Sequence, residues 1–150
     1  MTKHVLISIK PRYAKKIWSG EKRYEFRRAI PQEHVSLATR FYVYESAPKQ
    51  RIVGYFTVDR VLGGETLWTL WDATRDYAGI GFEEFCRYFE GAPMKHALHI
   101  PFAQKFLFPR ELWEIGLKRA PQNYLYLTPE QAQKLESFGF SRMPRKNEFL

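Results

Sequence analysis

The stretch that decides the fold is Ile9–Arg28, which reads IKPRYAKKIWSGEKRYEFRR. Pro11 suits the first position of a helix, because the N–H group that it lacks would have no partner there. Apolar residues then recur at helical spacing and form one stripe, made of Tyr13, Ala14, Ile17 and Trp18. Gly20 is placed to cap the C-terminus of this helix. The pattern therefore predicts a short helix that begins at Pro11 and ends at Gly20.

Beyond this helix the pattern changes to the alternation typical of a β-strand. In residues 22–28, two aromatic side chains fall on one face and three charged ones on the other: Tyr24 and Phe26 against Arg23, Glu25 and Arg27. The alternation predicts a half-buried strand, joined to the helix by a tight turn. Charged groups are then crowded at the junction of the two elements.

Positive charge is concentrated in the same stretch. Residues 10–28 hold eight Lys or Arg and two Glu, which is +6 of the formal net charge of +8. A balance of this size favours an anionic partner, with nucleic acid as the leading candidate. The alternative is a protein that is basic without binding nucleic acid.

The composition narrows the class of protein. Hydrophobic residues make up 45% of the chain and aromatic residues 17%, which is enough for a packed core. Cys86 is the single cysteine, so an intramolecular disulfide is impossible and a cysteine-based zinc site is not expected. No apolar run is long enough to span a membrane, and the N-terminus does not resemble a signal peptide. We therefore expect a cytoplasmic protein with no membrane partner.

Five further segments are predicted to be strands from their content of β-branched and aromatic residues. They are Val5–Ile9, Arg40–Ser46, Ile52–Leu62, Lys95–Ile100 and Gln122–Leu127. A last helix, at about residues 129–138, is indicated by the capping box of Thr128 and Gln131. Together, these strands and helices predict an α+β fold, a small and partly closed β-barrel of five to six strands with peripheral helices. No linker divides the chain, so residues 1–150 are expected to form one domain.

A helical insert is predicted at about residues 65–92, between the strands expected at Ile52–Leu62 and Lys95–Ile100. Its helices are expected at Thr66–Tyr77 and Phe82–Phe89. Residues 59–92 carry seven acidic and three basic groups. We therefore expect the insert to present a solvated acidic surface without chemistry of its own.

The candidate site is the junction of Lys22, Glu25 and Arg27. The sequence has no motif for a phosphate-binding loop, a metal site or a nucleophile elbow, so no metal or cofactor is expected. Glu25 and Arg27 lie two apart on a strand and share a face, and Lys22 can reach over the start of that strand. Two cations beside a carboxylate can hold a phosphate or carbonyl oxygen, while the carboxylate can bind a base edge or accept a proton. The alternative is an exposed ladder of ion pairs, worth about 0–1 kcal/mol.

Several spaced motifs resemble the ASCH domain family. The first is the spacing Gly-x-Lys-x-x-Glu-x-Arg, carried by Gly20, Lys22, Glu25 and Arg27, which follows an opening segment at Val5–Pro11. Later pieces resemble the larger prokaryotic members and come in the same order: Tyr44–Pro48, Ile52–Phe56, Phe85 with Tyr88–Phe89, and Pro121–Tyr124. The resemblance spans residues 4–127 and implies a PUA-like β-barrel.

The resemblance also implies a site. In such domains the Lys-x-x-Glu-x-Arg segment is expected to line a cleft between the barrel and the first helix, and the cleft is expected to take RNA or a nucleotide-like ligand. It implies that six residues face this ligand: Ser8, Lys10, Lys22, Glu25, Arg27 and Ser46.

Three functions remain open on this basis. The first is a protein that binds RNA or a nucleotide in the cleft, with further phosphate contacts from Arg12, Lys15, Lys16 and Arg28. The second is a small hydrolase with Lys22 as electrostatic catalyst and Glu25 as general base, either a ribonuclease or a modified-nucleoside amidohydrolase. The family's amidohydrolases carry a threonine nucleophile where this chain has Glu25, and a carboxylate cannot simply replace that hydroxyl in acyl transfer. The third is a regulator of transcription or translation that recruits a protein partner through the acidic insert.

Overall fold

The computed structural model describes residues 2–31, 36–63 and 66–141. Its strands and α-helices are, in chain order, β1 (Val5–Ile9), α1 (Pro11–Ser19), β2 (Tyr24–Arg27), β3 (Phe41–Glu45), β4 (Arg51–Thr57), β5 (Arg60–Gly63), α2 (Leu67–Thr74), α3 (Phe82–Phe89), β6 (His96–His99), β7 (Phe102–Arg110), β8 (Tyr124–Tyr126) and α4 (Pro129–Glu136). Short 3-10 helices lie at Arg75–Tyr77 and Leu112–Ile115. The predicted α+β class is confirmed, with eight strands in the described residues instead of five to six.

The strands form two sheets. The larger has the order β7-β4-β3-β1-β8, and the smaller has the order β2-β6-β5. β1 is parallel to β3, and the remaining pairs are antiparallel. The larger sheet ends at β7 on one side and β8 on the other, so it is open, which is consistent with a partly closed barrel.

The core lies on both faces of the larger sheet. Phe41 and Val43 of β3 pack with α1 on one face, whereas Tyr42 and Tyr44 pack toward α4 on the other. All five residues of β3 are buried. A strand covered on both faces loses the polar–apolar alternation, which explains its continuous apolar and aromatic sequence.

Helix α1 follows the predicted pattern closely. It begins at Pro11, buries Ala14 and Ile17 against the larger sheet, and ends at Gly20. Gly20 has φ 87°, and its N–H group donates to the Ile17 carbonyl. This left-handed cap reverses the chain direction and leads directly into β2.

The helical insert covers the second sheet. Tyr24 and Phe26 of β2 pack into a cluster with Trp71, Phe85 and other apolar side chains of α2 and α3. The rings of Phe26 and Phe85 are 5.1 Å apart and nearly perpendicular, an arrangement that aromatic pairs favour. The predicted insert begins at residue 65, which lies outside the described residues; α2 and α3 agree with the predicted helices.

One strand prediction was wrong, and one strand was not predicted. The segment Ile52–Leu62, predicted as a single strand, forms two strands. The chain leaves β4 of the larger sheet, turns at Asp59 and enters β5 of the smaller sheet. Strand β7 was not predicted, and it contains Pro109, a residue that argues against a strand. Proline is tolerated here because β7 is the edge strand of its sheet and Pro109 is its next-to-last residue, beyond Leu107, which donates outward to the Gly139 carbonyl.

We predict that Gly54→Ala will strongly destabilise the protein. A Cβ atom at this position of β4 would lie 2.3 Å from the Gln104 carbonyl oxygen and 2.7 Å from the Lys105 Cα atom. Both are main-chain atoms of β7, so relief requires separating two paired strands, and the loss should reach or exceed the ~1–3 kcal/mol of ordinary overpacking. Urea denaturation measures the free energy of unfolding. Gly63→Ala is the matched control, because nothing lies within 4 Å of its Cβ position, and a change there as large as that at Gly54 would contradict the prediction.

Candidate functional site

Glu25 and Arg27 form a buried ion pair on β2. The Arg27 Nε atom donates to the Glu25 Oε2 atom at 2.9 Å, and the two side chains are 10% and 8% exposed. The expected half-buried strand is instead buried at all four positions, because the insert covers one face and the larger sheet adjoins the other. The alternative of an exposed ion-pair ladder is therefore excluded at this position.

Arg27 also ties the two sheets together. Its Nη1 atom donates to the Asn123 Oδ1 atom, and its Nη2 atom donates to the Ser8 carbonyl, both at 2.7 Å. Ser8 belongs to β1, and Asn123 directly precedes β8. Because all three guanidinium nitrogens have partners, Arg27 acts in this structure as the group that positions Glu25.

Lys22 is buried next to this pair. Its side chain is 2% exposed, and its Nζ atom donates to the Ala78 carbonyl at 2.8 Å. The ammonium group also lies 4.6 Å from the centre of the Phe26 ring, a favourable cation–π distance. Burial lowers the pKa of the Lys22 amine to about 8, and the nearby Glu25 carboxylate only partly opposes this.

Gly79 permits this burial of Lys22. It has φ +71°, and a Cβ atom there would lie within 3 Å of three carbons of the Lys22 side chain. The backbone of the insert can therefore rest directly on the lysine stem only because residue 79 is glycine.

A cavity of about 440 Å³ opens beside these residues. The six residues expected to face a ligand all lie on its wall: Ser8, Lys10, Lys22, Glu25, Arg27 and Ser46. Those from β1 and β3 come together because the two strands are parallel and in register: Ser8 is paired with Tyr44, and Lys10 and Ser46 follow the last residues of the two strands. The sequence motifs thus predicted a set of residues that are far apart in the chain and adjacent in space.

Several polar groups on the cavity wall have no hydrogen-bond partner within residues 2–31, 36–63 and 66–141. They are the Oε1 oxygen of Glu25, the hydroxyls of Tyr44 and Ser46, the amine of Lys10 and the side-chain amide of Gln122. The set combines acceptors, donors and groups that do both. Such a wall can read the edge of a planar, hydrogen-bonding ligand.

Sequence reasoning missed the part of the wall that comes from the insert. Ile80, Glu84 and Tyr88 line the cavity, although the insert was expected to be a solvated surface. Burial raises the pKa of Tyr88, against the positive charge of nearby Arg27, so its hydroxyl stays neutral. The available signal was the spacing of Phe85, Tyr88 and Phe89, which puts Tyr88 on the same face of α3 as two buried phenylalanines.

The basic residues expected to bind phosphate have different surroundings from one another. Arg12 pairs with Glu84 at 3.0 Å, the Lys16 Nζ atom donates to the Gly79 carbonyl, and Arg28 donates to the carbonyls of Tyr88 and Glu90. Lys15 is exposed, with no side-chain partner in the described part of the chain. Three of these four cations therefore hold the insert against α1 and β2.

Two further findings bear on the kind of site. In the described ranges, no three His, Cys, Asp or Glu side chains come together in a way that could hold a metal ion. No helix in those ranges is long and apolar enough to cross a membrane.

Replacing Lys22 by methionine should reveal the lowered pKa of the lysine. The folded protein gives up this proton near pH 8 and the unfolded chain near pH 10.5, so between these values the unfolded state binds more protons. The stability of the wild type relative to Lys22→Met should therefore rise with pH across this window, by at most roughly 3 kcal/mol, and stay flat below it. Paired denaturation curves in the same buffers cancel the titration of other groups. A difference that is constant from pH 7 to 10.5 would contradict the burial of a charged lysine.

Comparison with known proteins places the chain in a family. The model of the ASCH domain matches residues 7–110. An ASCH domain-containing ribonuclease from Zymomonas mobilis is 32% identical over 139 residues, which cover 90% of this chain and 91% of that protein. The large ribosomal subunit protein uL22 of Ureaplasma parvum is 28% identical over 127 residues, but the match covers only 40% of its length.

Solved structures agree with the sequence comparison. The crystal structure of the ASCH protein from Zymomonas mobilis matches with a TM-score of 0.81 and 30% identity, covering 93% of this chain and 96% of that one. A tyrosine-to-phenylalanine variant of the same protein matches equally well, with a TM-score of 0.81. These matches confirm both the PUA-like fold and the resemblance seen in the sequence, and the chain belongs to the ASCH domain family.

Proposed function

We propose that this protein binds single-stranded RNA and holds one nucleotide in the cavity beside Lys22, Glu25 and Arg27. The observation that carries the proposal is the cavity itself. Its volume of about 440 Å³ falls in the ~300–1,000 Å³ range of small-ligand sites. The name of the ribonuclease relative and the excess of positive charge support RNA as the ligand.

The wall of the cavity suits a nucleotide in two ways. Tyr13, Phe26 and Tyr88 supply aromatic surface, and stacking on such rings is worth ~1–3 kcal/mol per base. The free oxygen of Glu25 accepts from an amino or imino group of the base, while the hydroxyl of Ser46 serves as donor or acceptor. A base reaches such groups only when it is unpaired and unstacked, which favours single strands over duplexes.

Among the Lys and Arg side chains of residues 10–28, those of Lys10 and Lys15 are available to meet the RNA backbone. Both are exposed and have no side-chain partner among the described residues. Each phosphate that such a cation neutralises releases counterions, so binding weakens with salt. Arg27 serves a different purpose in this scheme, since its contacts keep the Glu25 carboxylate in place.

A single-stranded RNA oligomer should bind more tightly than the duplex of the same sequence, with an affinity that falls steeply with salt. Tyr88→Leu removes an aromatic surface of the cavity and should weaken binding about 5- to 150-fold, the equivalent of one base stack. Tyr77→Leu is the matched control, because Tyr77 is also an exposed tyrosine of the insert but lies outside this cavity. Fluorescence anisotropy of a labelled oligomer measures the RNA affinity of both variants and its dependence on salt. Equal losses in the two variants, or binding that is flat with salt, would count against the proposal.

A second candidate function is hydrolysis of the bound RNA. The relative named as a ribonuclease matches over 91% of its own length, and Lys22 and Glu25 share the cavity wall. In this scheme the free oxygen of Glu25 takes the proton of a ribose 2′-OH, whose oxygen attacks the adjacent phosphorus. The bond from phosphorus to the 5′ oxygen then breaks, water protonates that oxygen, and the Lys22 ammonium stabilises the charge that develops on the phosphate.

Cleavage of end-labelled RNA tests this second candidate. Glu25→Gln should slow cleavage about 10²- to 10⁴-fold, the usual value of a general base, while Glu21→Gln, at an exposed carboxylate of the same segment, should not. An RNA with a single 2′-deoxy position should resist cleavage at that position only. Full activity in Glu25→Gln removes Glu25 as the base. Release of acetate from N-acetylated cytidine, with intact RNA, would favour the amidohydrolase alternative.

A further inference from the structure

Glu84 of the insert occupies the two groups of α1 that are best arranged to hold an anion. Its Oε2 atom accepts from the Arg12 Nη2 atom at 3.0 Å and from the Tyr13 hydroxyl. The guanidinium also donates to that hydroxyl at 2.8 Å, so the three groups form one connected unit. Tyr13 and Glu84 both lie on the wall of the cavity.

The chemistry of this unit is that of a phosphate contact. An arginine fork and a phenol hydroxyl recognise the oxygens of a phosphate with the same donors that they offer a carboxylate. The first turn of α1 contains no acidic residue of its own, so the anion at this end of the helix is supplied from α3. Glu84 thus takes the place that a phosphate at the mouth of the cavity would take.

This contact can exchange with solvent, unlike the pair deeper in the site. The side chains of Arg12 and Glu84 are 65% and 32% exposed, whereas those of Arg27 and Glu25 are 10% and 8% exposed. Exposed ion pairs are weak because water screens them. Glu84 can therefore turn away without uncovering a buried charge, and Arg12 then becomes free to bind another anion.

We propose that Glu84 is an internal competitor for the RNA phosphate, and that Arg12 and Tyr13 form a phosphate site that opens when Glu84 is displaced. This inference rests on the proposed binding of RNA in the cavity. Glu84 then sets specificity, because it lowers the affinity for weakly bound anions and leaves the site to ligands whose base is held in the cavity at the same time.

The test compares Glu84→Gln with Glu83→Gln. Glu83 is the preceding residue of α3, exposed and without a side-chain partner in the described ranges, so both variants remove one charge from the same helical turn. Affinity for a single-stranded RNA oligomer should rise about fivefold more in Glu84→Gln than in Glu83→Gln. The extra gain should disappear when Arg12→Gln is added, because the competitor then has no site to block.

Inorganic phosphate gives a readout that does not depend on RNA. Adding about 50 mM phosphate at constant ionic strength should raise the Tm of each variant by a measurable amount. This rise should be roughly 2 °C larger in Glu84→Gln than in Glu83→Gln, as expected for a newly opened anion site. Phosphate stabilisation without RNA binding in any variant would support the anion site and refute the proposed function. Two results would overturn the proposal that Glu84 is a competitor: equal behaviour of Glu84→Gln and Glu83→Gln in both assays, or a gain in RNA affinity that persists when Arg12→Gln is added.

Discussion

The guanidinium group of Arg27 is the interaction on which the rest of the site depends. It joins β2 of the smaller sheet to the Ser8 carbonyl in β1 of the larger sheet and to Asn123 before β8. Removing two charges from water costs several kcal/mol for each ion, and the ion pair with Glu25 alone would not reliably offset this. Two further charge-assisted hydrogen bonds, to the Asn123 side chain and the Ser8 carbonyl, add to the pair. Arg27 lines the cavity at the point where it links the two sheets.

Much of the positive charge in the N-terminal stretch serves to attach the insert. Lys22 and Lys16 donate to the consecutive carbonyls of Ala78 and Gly79, which follow the 3-10 helix. Arg28 donates to carbonyls at the C-terminal end of α3, where a helix leaves such groups unpaired and carries a partial negative charge. The segment is therefore basic for two separate reasons, and net charge alone cannot tell the structural cations from those available to a ligand.

Features that are set by a few consecutive residues could be predicted from the sequence, whereas features that depend on residues distant in the chain could not. The helix from Pro11 to Gly20 was predicted because its signals are local backbone preferences. The burial of β2 on both faces was not predicted, because the alternation of Phe26 with charged residues suggests a solvent-exposed face. Only the folded structure shows that Asn123 and the Ser8 carbonyl are partners of Arg27. The insert's share of the cavity was missed for the same reason: its acidic composition says nothing about where Glu84 points.

The two carboxylate–arginine pairs at the cavity show that the same chemical contact can be either permanent or exchangeable. In each, one oxygen of a glutamate meets an arginine nitrogen at about 3 Å, at 2.9 Å for Glu25 and 3.0 Å for Glu84. The inner pair is shielded from water, so separating it would leave a charge buried without a partner, and the pair stays closed. The outer pair is hydrated, so an incoming anion replaces one weak contact with another of the same kind. Burial, and not the identity of the residues, thus makes Glu25 a fixed part of the wall and Glu84 an exchangeable one.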